Sequence, residues 1–282
     1  MRSAGQMEIR PYSAALGAEI TGVDLSRPLS DRVWTAILDA FRRHMVIFFR
    51  DQRIPPEAQV VFARRFGQLE PYPFVNGIAG FPELIEIVKL PDEVRNFGEG
   101  WHVDMSYREQ PPLGAVLYGT EIPAVGGDTV FANMALAYAT LSKGMKSILK
   151  SMRGIHDSQG PEYHADSYKG MSVAKKQEAV RQASTHPMIR RHPETGVESL
   201  FISPDYCRTI EDFDEEEGRL LLALLERHAT RHEFICRFRW EPNSVAVWDN
   251  RCTMHMALND DIAARLGGAG FKRVMRRATI RC

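Results

Sequence analysis

The chain has 282 residues, 44% of them hydrophobic and 26% charged, and its 36 Lys and Arg residues balance 36 Asp and Glu. That length supplies a substantial core for a single domain spanning 1–282, and the even charge excludes the broad field that draws proteins to nucleic acid or an anionic membrane. With no signal-peptide core and no apolar run long enough to span a bilayer, a cytoplasmic protein is expected, its four scattered cysteines reduced.

In chain order, the first helix is expected from Ser30 to His44, capped by Ser-Asp and carrying Val33, Ile37, Leu38 and Phe41 on one face. Val46–Phe49 reads as a strand. Pro55-Pro56-Glu57 then opens a helix through Val60, Val61, Phe62 and Phe66, stopped by Gly67. Ala115–Tyr118 and Thr129–Phe131 read as strands. The turn residues Gly126-Gly127-Asp128 between them predict that neighbouring strands reverse and pair antiparallel. The polar segment 160–182 is open to two readings, a lid over a site or an ordinary surface excursion. Ser199–Ile202 is strand-like. A helix from Asp214 to Ala229 starts with acidic residues that suit its positive end, and Leu220, Leu221, Leu224 and Leu225 form its expected buried stripe. Phe234–Trp240, Ser244–Trp248 and Arg273–Ile280 complete the strands, with Glu241-Pro242-Asn243 as a second reversal. No internal repeat divides the chain. The pattern predicts a mainly β fold with surrounding helices, a double-sheet jelly roll.

Trp101-His102-Val103-Asp104 sets an imidazole and a carboxylate two residues apart, on the same face of an extended segment. Alone, that pair is weak evidence in a chain with nine histidines. A second histidine, His255, follows the strand Ser244–Trp248 and the turn Asp249-Asn250-Arg251. Two imidazoles and one carboxylate leave coordination positions open, as non-haem iron(II) oxygenases require. Cys252-Thr-Met-His255 has the spacing of half a zinc site, but no second pair accompanies it, and a buried, inert thiol is the stronger reading. In the last strand, Arg273, Met275 and Arg277 share one face. A guanidinium beside a metal would bind a carboxylate bidentately; the bland alternative is a basic edge strand in solvent.

Together, Trp101-His102-Val103-Asp104, Gly126-Gly127-Asp128-Thr129, Trp248-Asp249-Asn250-Arg251, His255 and Arg273–Thr279 resemble the taurine dioxygenase family, which includes dioxygenases that cleave phenoxyalkanoate herbicides. Weaker likeness runs from Met7 to Ile280. The resemblance implies a cupin-like double-stranded β-helix with iron(II) held by His102, Asp104 and His255, and with O2 and 2-oxoglutarate as co-substrates. It implies that Thr129 and Arg273 hold 2-oxoglutarate and that Arg277 meets the anionic head of a small substrate: a sulfonate, sulfate ester, phenoxyalkanoate or other carboxylate. Succinate and carbon dioxide would be released. Tyr72, Val75 and Gly98 stand where taurine enzymes carry a histidine, a tyrosine and an asparagine, so taurine itself is not the expected substrate. Val103, Tyr107 and Tyr206 complete the expected substrate contacts. Neither nucleic acid nor membrane is an expected partner, and a homo-oligomer is compatible with this reading. Two other classes stay open: a zinc hydrolase, which would not need Thr129 and Arg273 arranged for a dicarboxylate, and a non-catalytic binding module, which would tolerate loss of a triad member.

Overall fold

The structure, a computed structural model, describes residues 6–158, 170–172 and 182–282. Apart from residues 170–172 and 182, the 160–182 segment read above as a lid or a surface excursion lies outside the described residues. The strands are β1 Glu8–Pro11, β2 Ala18–Thr21, β3 Val46–Phe49, β4 Leu69–Glu70, β5 Leu84–Lys89, β6 Gly114–Glu121, β7 Thr129–Asn133, β8 Arg153–Asp157, β9 Ala183–Pro187, β10 Ile189–Arg191, β11 Glu198–Leu200, β12 Cys207–Ile210, β13 Ile235–Phe238, β14 Val245–Asp249, β15 Thr253–Ala257 and β16 Arg273–Ile280. The helices are α1 Asp31–His44, α2 Pro56–Arg64, α3 Met134–Thr140, α4 Lys143–Leu149, α5 Glu215–Ala229 and α6 Ile262–Arg265. Among the described residues no helix is long and apolar enough to cross a membrane.

Two sheets carry the architecture. The larger runs β1-β2-β3-β14-β6-β16-β4, with β5 also on β16; a three-stranded sheet runs β13-β7-β15. All pairings are antiparallel except β2 with β3. Alternation along β3 explains why Val46–Phe49 is apolar throughout: Val46 and Phe48 enter the layer between the sheets, whereas Ile47 and Phe49 pack under α1 and α2. Phe48 stacks on Phe238 of the smaller sheet, ring centroids 4.0 Å apart. Ala132 and Met254, on the outer face of that sheet, pack against Met134, Tyr138, Leu225 and Ala229 of α3 and α5. The order is therefore helices, large sheet, small sheet, helices.

The helix starts follow their capping signals. Ser30 accepts from the Val33 amide, and Asp214 from the Glu217 amide at 2.8 Å. Two expectations are corrected. The turns Gly126–Asp128 and Glu241–Asn243 do not close hairpins: β6 and β14 lie in the large sheet, β7 and β13 in the small one, so each turn carries the chain from one layer to the other. Turn chemistry specifies a change of direction, and the burial of both faces decides which sheet receives the next strand. The stripe of α5 is also rotated. Leu220 and Leu224 are 56% and 40% exposed, while Gly218, Leu225 and Ala229 are buried with Leu221 and Leu222 beside them. Val61, in the apolar run of α2, likewise faces outward.

Candidate active site

His102 and His255 are brought together by the backbone. The His102 amide donates to the His255 carbonyl and the His255 amide to the His102 carbonyl, both at 2.9 Å, which makes an isolated antiparallel bridge between β15 and the segment after β5. Their rings lie 4.3 Å apart between centroids. Asp104, two residues on, returns to the same side, and its Oδ1 is 3.5 Å from His102 Nε2 and 3.6 Å from His255 Nε2. All three side chains are buried, and their ligand atoms lie within 4.8 Å of one another. His102 Nδ1 sits 2.8 Å from the Gly100 carbonyl, which fixes the proton on Nδ1 and leaves the Nε2 lone pair facing the cluster.

The carboxylate is held by the strand-end residues Trp248 and Asn250. Trp248 Nε1 donates to Asp104 Oδ2 at 3.1 Å and Asn250 Nδ2 donates to the same oxygen at 3.3 Å, so Oδ1 alone faces the imidazoles. Arg277 approaches that oxygen, Nη2 at 3.0 Å, although neither its Nη2 nor its Nε finds an aligned acceptor. Burial alone would raise the Asp104 pKa, but Arg277 and the two imidazoles override it and hold the group well below the usual carboxylate range. Burial, opposed by Asp104 and reinforced by His102 and Arg277, pulls His255 down to about 3. His102 resists burial through its contacts with Asp104 and is raised. A neutral imidazole and an ionised carboxylate are the forms that ligate a metal.

Arg273 lies on the same face of β16 and is buried, with no carboxylate in ion-pair range among the described residues and no hydrogen-bond partner for Nε. Burial lowers its pKa to about 10 against the weak pull of Asp260 and Asp128. Leaving a buried guanidinium unpaired is unfavourable unless a ligand supplies the anion. Gly127, at φ +71, lets the arginine stem pass: a Cβ there would lie 2.9 Å from Arg273 Cδ. The buried Thr129 hydroxyl accepts from Trp240 Nε1 at 2.9 Å, which leaves its own proton to donate. Arg276, on the opposite face, is instead bonded to Gln59 Oε1 and the Ile54 carbonyl.

Tyr72 flanks Arg277, its ring 5.7 Å from the guanidinium carbon, with Trp248 at 5.8 Å. Val75, Tyr107 and Met105 are buried in one apolar cluster with Tyr72, and Tyr206 packs on Tyr107 with centroids 5.1 Å apart. Gly98 has φ +75, and a Cβ there would meet His102 Cε1 at 3.0 Å, so glycine fits this backbone against the imidazole where a larger residue would strain it. Val103 goes elsewhere: lying between two residues that share a face, it points the opposite way and packs with Ala132, Leu200 and Met254. Arg277 meets Asp104 and not Asp249, a neighbouring carboxylate it could have paired with; Asp249 is bonded to Arg251 and His192. Trp248 and Asn250 are functional neighbours that a list of metal-binding residue types misses; the Trp-Asp-Asn turn before His255 is their only signal.

A second group, His192, Asp249 and Cys252, also has ligand atoms within 4.8 Å. His192 Nδ1 accepts from the Glu194 and Thr195 amides, so Nε2 carries the proton given to Asp249 at 3.0 Å, and Arg251 holds both Asp249 oxygens. Burial pushes the Cys252 thiol well up. That network is internally satisfied, and Cys252 forms no site with His255.

Comparison with known proteins accords with this geometry. The family described as "Taurine catabolism dioxygenase TauD, TfdA family" matches residues 8–279. A Pseudomonas putida "Alpha-ketoglutarate-dependent sulfate ester dioxygenase" is 33% identical over 90% of this chain and 85% of its own. The "Alpha-ketoglutarate-dependent 2,4-dichlorophenoxyacetate dioxygenase" of Cupriavidus pinatubonensis is 31% identical over 95% and 96%. A crystal structure of a taurine dioxygenase from Burkholderia xenovorans superposes with a TM-score of 0.82 at 35% identity, covering 98% of this chain and 90% of that one.

Proposed function

The chain belongs to the TauD, TfdA family and is a 2-oxoglutarate-dependent non-haem iron oxidoreductase; we propose that it hydroxylates a small organic anion within a double-stranded β-helix. The observation that carries this reading is the convergence of His102, Asp104 and His255, with both imidazole Nε2 atoms and one carboxylate oxygen facing a common point. Two nitrogens and one oxygen suit iron(II) and leave positions for co-substrate and O2. When bound, the iron supplies the oxygen chemistry that couples loss of carbon dioxide from 2-oxoglutarate, giving succinate, to hydroxylation of a C–H bond.

The chain's own residues do the positioning. Arg273 pairs with the distal carboxylate of 2-oxoglutarate, and the Thr129 hydroxyl donates to the same group. Arg277, between Tyr72 and Trp248, takes the substrate anion. Val75, Tyr107 and Tyr206 give the substrate an apolar surround that excludes water. That lining favours a sulfate ester, alkyl or aryl sulfonate, phenoxyalkanoate or other apolar carboxylate over taurine. If the hydroxylated carbon carries a sulfur-linked oxygen, sulfonate or aryl ether oxygen, the product collapses and that group leaves. Succinate release by the iron-loaded enzyme, screened across these four classes beside taurine and neutral ester analogues, tests the reading. Turnover confined to apolar anions is expected. Efficient taurine turnover, or equal turnover of neutral analogues, would overturn the substrate assignment; zinc-supported hydrolysis without oxygen uptake would overturn the class.

A further inference from the structure

A second cationic cavity lies on the far side of the Asp104 support, and we propose that it binds a small free oxyanion, sulfate or inorganic phosphate. Its volume is about 100 Å³, and its walls include Arg190, Arg191, Phe201, Asn250, Arg251 and Cys282. A water needs only about 10–15 Å³ of such space, so the cavity has ample room for a tetrahedral oxyanion.

Arg190 is the wall residue whose charge has no partner among the described residues. Its guanidinium lies over the Phe201 ring, 4.6 Å from the centroid, and has no hydrogen bond or ion pair among the described residues. Burial lowers its pKa; the neighbouring Cys282 thiol opposes this and Arg251 adds to it. The other charges nearby are already matched. Arg251 holds Asp249 through two nitrogens and Glu194 through the third, and Arg42 takes the other oxygen of Glu194. Arg191 bonds the Gly196 carbonyl through Nε and is otherwise exposed. The cavity therefore presents one partly buried guanidinium with no partner among the described residues, and a guanidinium binds an oxyanion through several N–H donors.

The location gives the ion a route to the active site. Asn250 lines the cavity and donates both to Asp104 Oδ2 and to the carbonyl of Pro112, another wall residue. This inference does not depend on the substrate reading, since the proposed anion ligands Arg190 and Arg191 make no described contact with His102, Asp104 or His255.

Thermal unfolding of the Mn(II)- and 2-oxoglutarate-loaded protein, which occupies Arg273, tests it with sulfate and phosphate against chloride at matched ionic strength. A rise in Tm of roughly 2–4 °C is expected at about five times Kd. Arg190→Gln should abolish the rise and Arg191→Gln weaken it, while Arg277→Leu, which lacks the active-site anion contact, should keep it. No rise in the wild type, or a rise kept in Arg190→Gln and lost in Arg277→Leu, overturns the site. Benzyl phosphate separates the two sources of such a group: tighter binding of the ester than of the free ions would overturn the assignment to a free oxyanion.

Discussion

His102, Asp104 and His255 supply the three side chains that converge on one point, so replacing any one with alanine should abolish measurable Mn(II) or Fe(II) binding in a calorimetric titration. Asn250→Ala leaves the ligands in place but removes a donor from Asp104 Oδ2, and should weaken metal binding about 10- to 100-fold; unchanged affinity would show that Trp248 alone orients the carboxylate. Arg273→Ala should raise the 2-oxoglutarate requirement by about 2 to 5 kcal/mol, because it leaves a desolvated carboxylate without its partner. Thr129→Val should cost only ~0.5–1.5 kcal/mol. An unchanged apparent Kd in the arginine variant would show that another group anchors the dicarboxylate. At this scale much is legible in the sequence. The two-residue period of a strand puts His102 and Asp104 on one side and sends Val103 to the other, and the same period pairs Arg273 with Arg277. The hydrogen bonds that aim these groups are not legible, since Trp248 and Asn250 reach Asp104 from a strand more than a hundred positions away.

Among the elements, α5 shows where pattern reading stops. Its acidic start and Asp214 cap are local and legible, but five leucines at mixed spacing offer two overlapping faces, and packing against α3 and the small sheet selects the one through Leu225. Leu225→Ala should therefore destabilise the protein by about 2 to 5 kcal/mol, and Leu220→Ala by less than about 0.5 kcal/mol, in urea unfolding; equal effects would contradict the observed rotation of the helix. The turns before Thr129 and Ser244 teach the same lesson. Their residues announce a reversal, but whether the next strand joins the same sheet depends on partners distant in sequence, β15 for β7 and β3 for β14.

Across the whole molecule, buried histidines set the acid limit. His156 is fully buried, bonded through Nδ1 to Ser106 Oγ with Nε2 unpartnered, and burial, with His186 and Arg190 adding to it, pulls its pKa to about 3. Because the unfolded chain takes up this proton near pH 6.5 and the folded chain does not, stability falls as pH drops from about 6.5 toward 3 and levels off below. The full window corresponds to on the order of 5 kcal/mol, with about 2 to 3 kcal/mol gone by pH 4.5. His156→Gln should flatten that part of the profile between pH 7 and 4.5; an identical slope in wild type and variant would assign the acid sensitivity to other groups. Asp249, whose pKa is held down against burial by Arg251 and His192, loses its contribution only at lower pH, as it becomes protonated.

The reciprocal backbone bridge between His102 and His255 joins residues more than half the chain apart. Contacts of such sequence separation close late, after the entropy of the intervening loop has been overcome. The bare chain is therefore expected to reach its transition state before the two imidazoles meet, with no site on which a metal ion could nucleate. Metal should therefore leave the refolding rate nearly unchanged and slow unfolding, as stabilisation absent from the transition state does; faster refolding in stopped-flow with Mn(II) present would place the bridge in the nucleus instead. The ion then acts as a clasp fastened after folding, and its loss shortens the lifetime of the native state without altering how that state is reached.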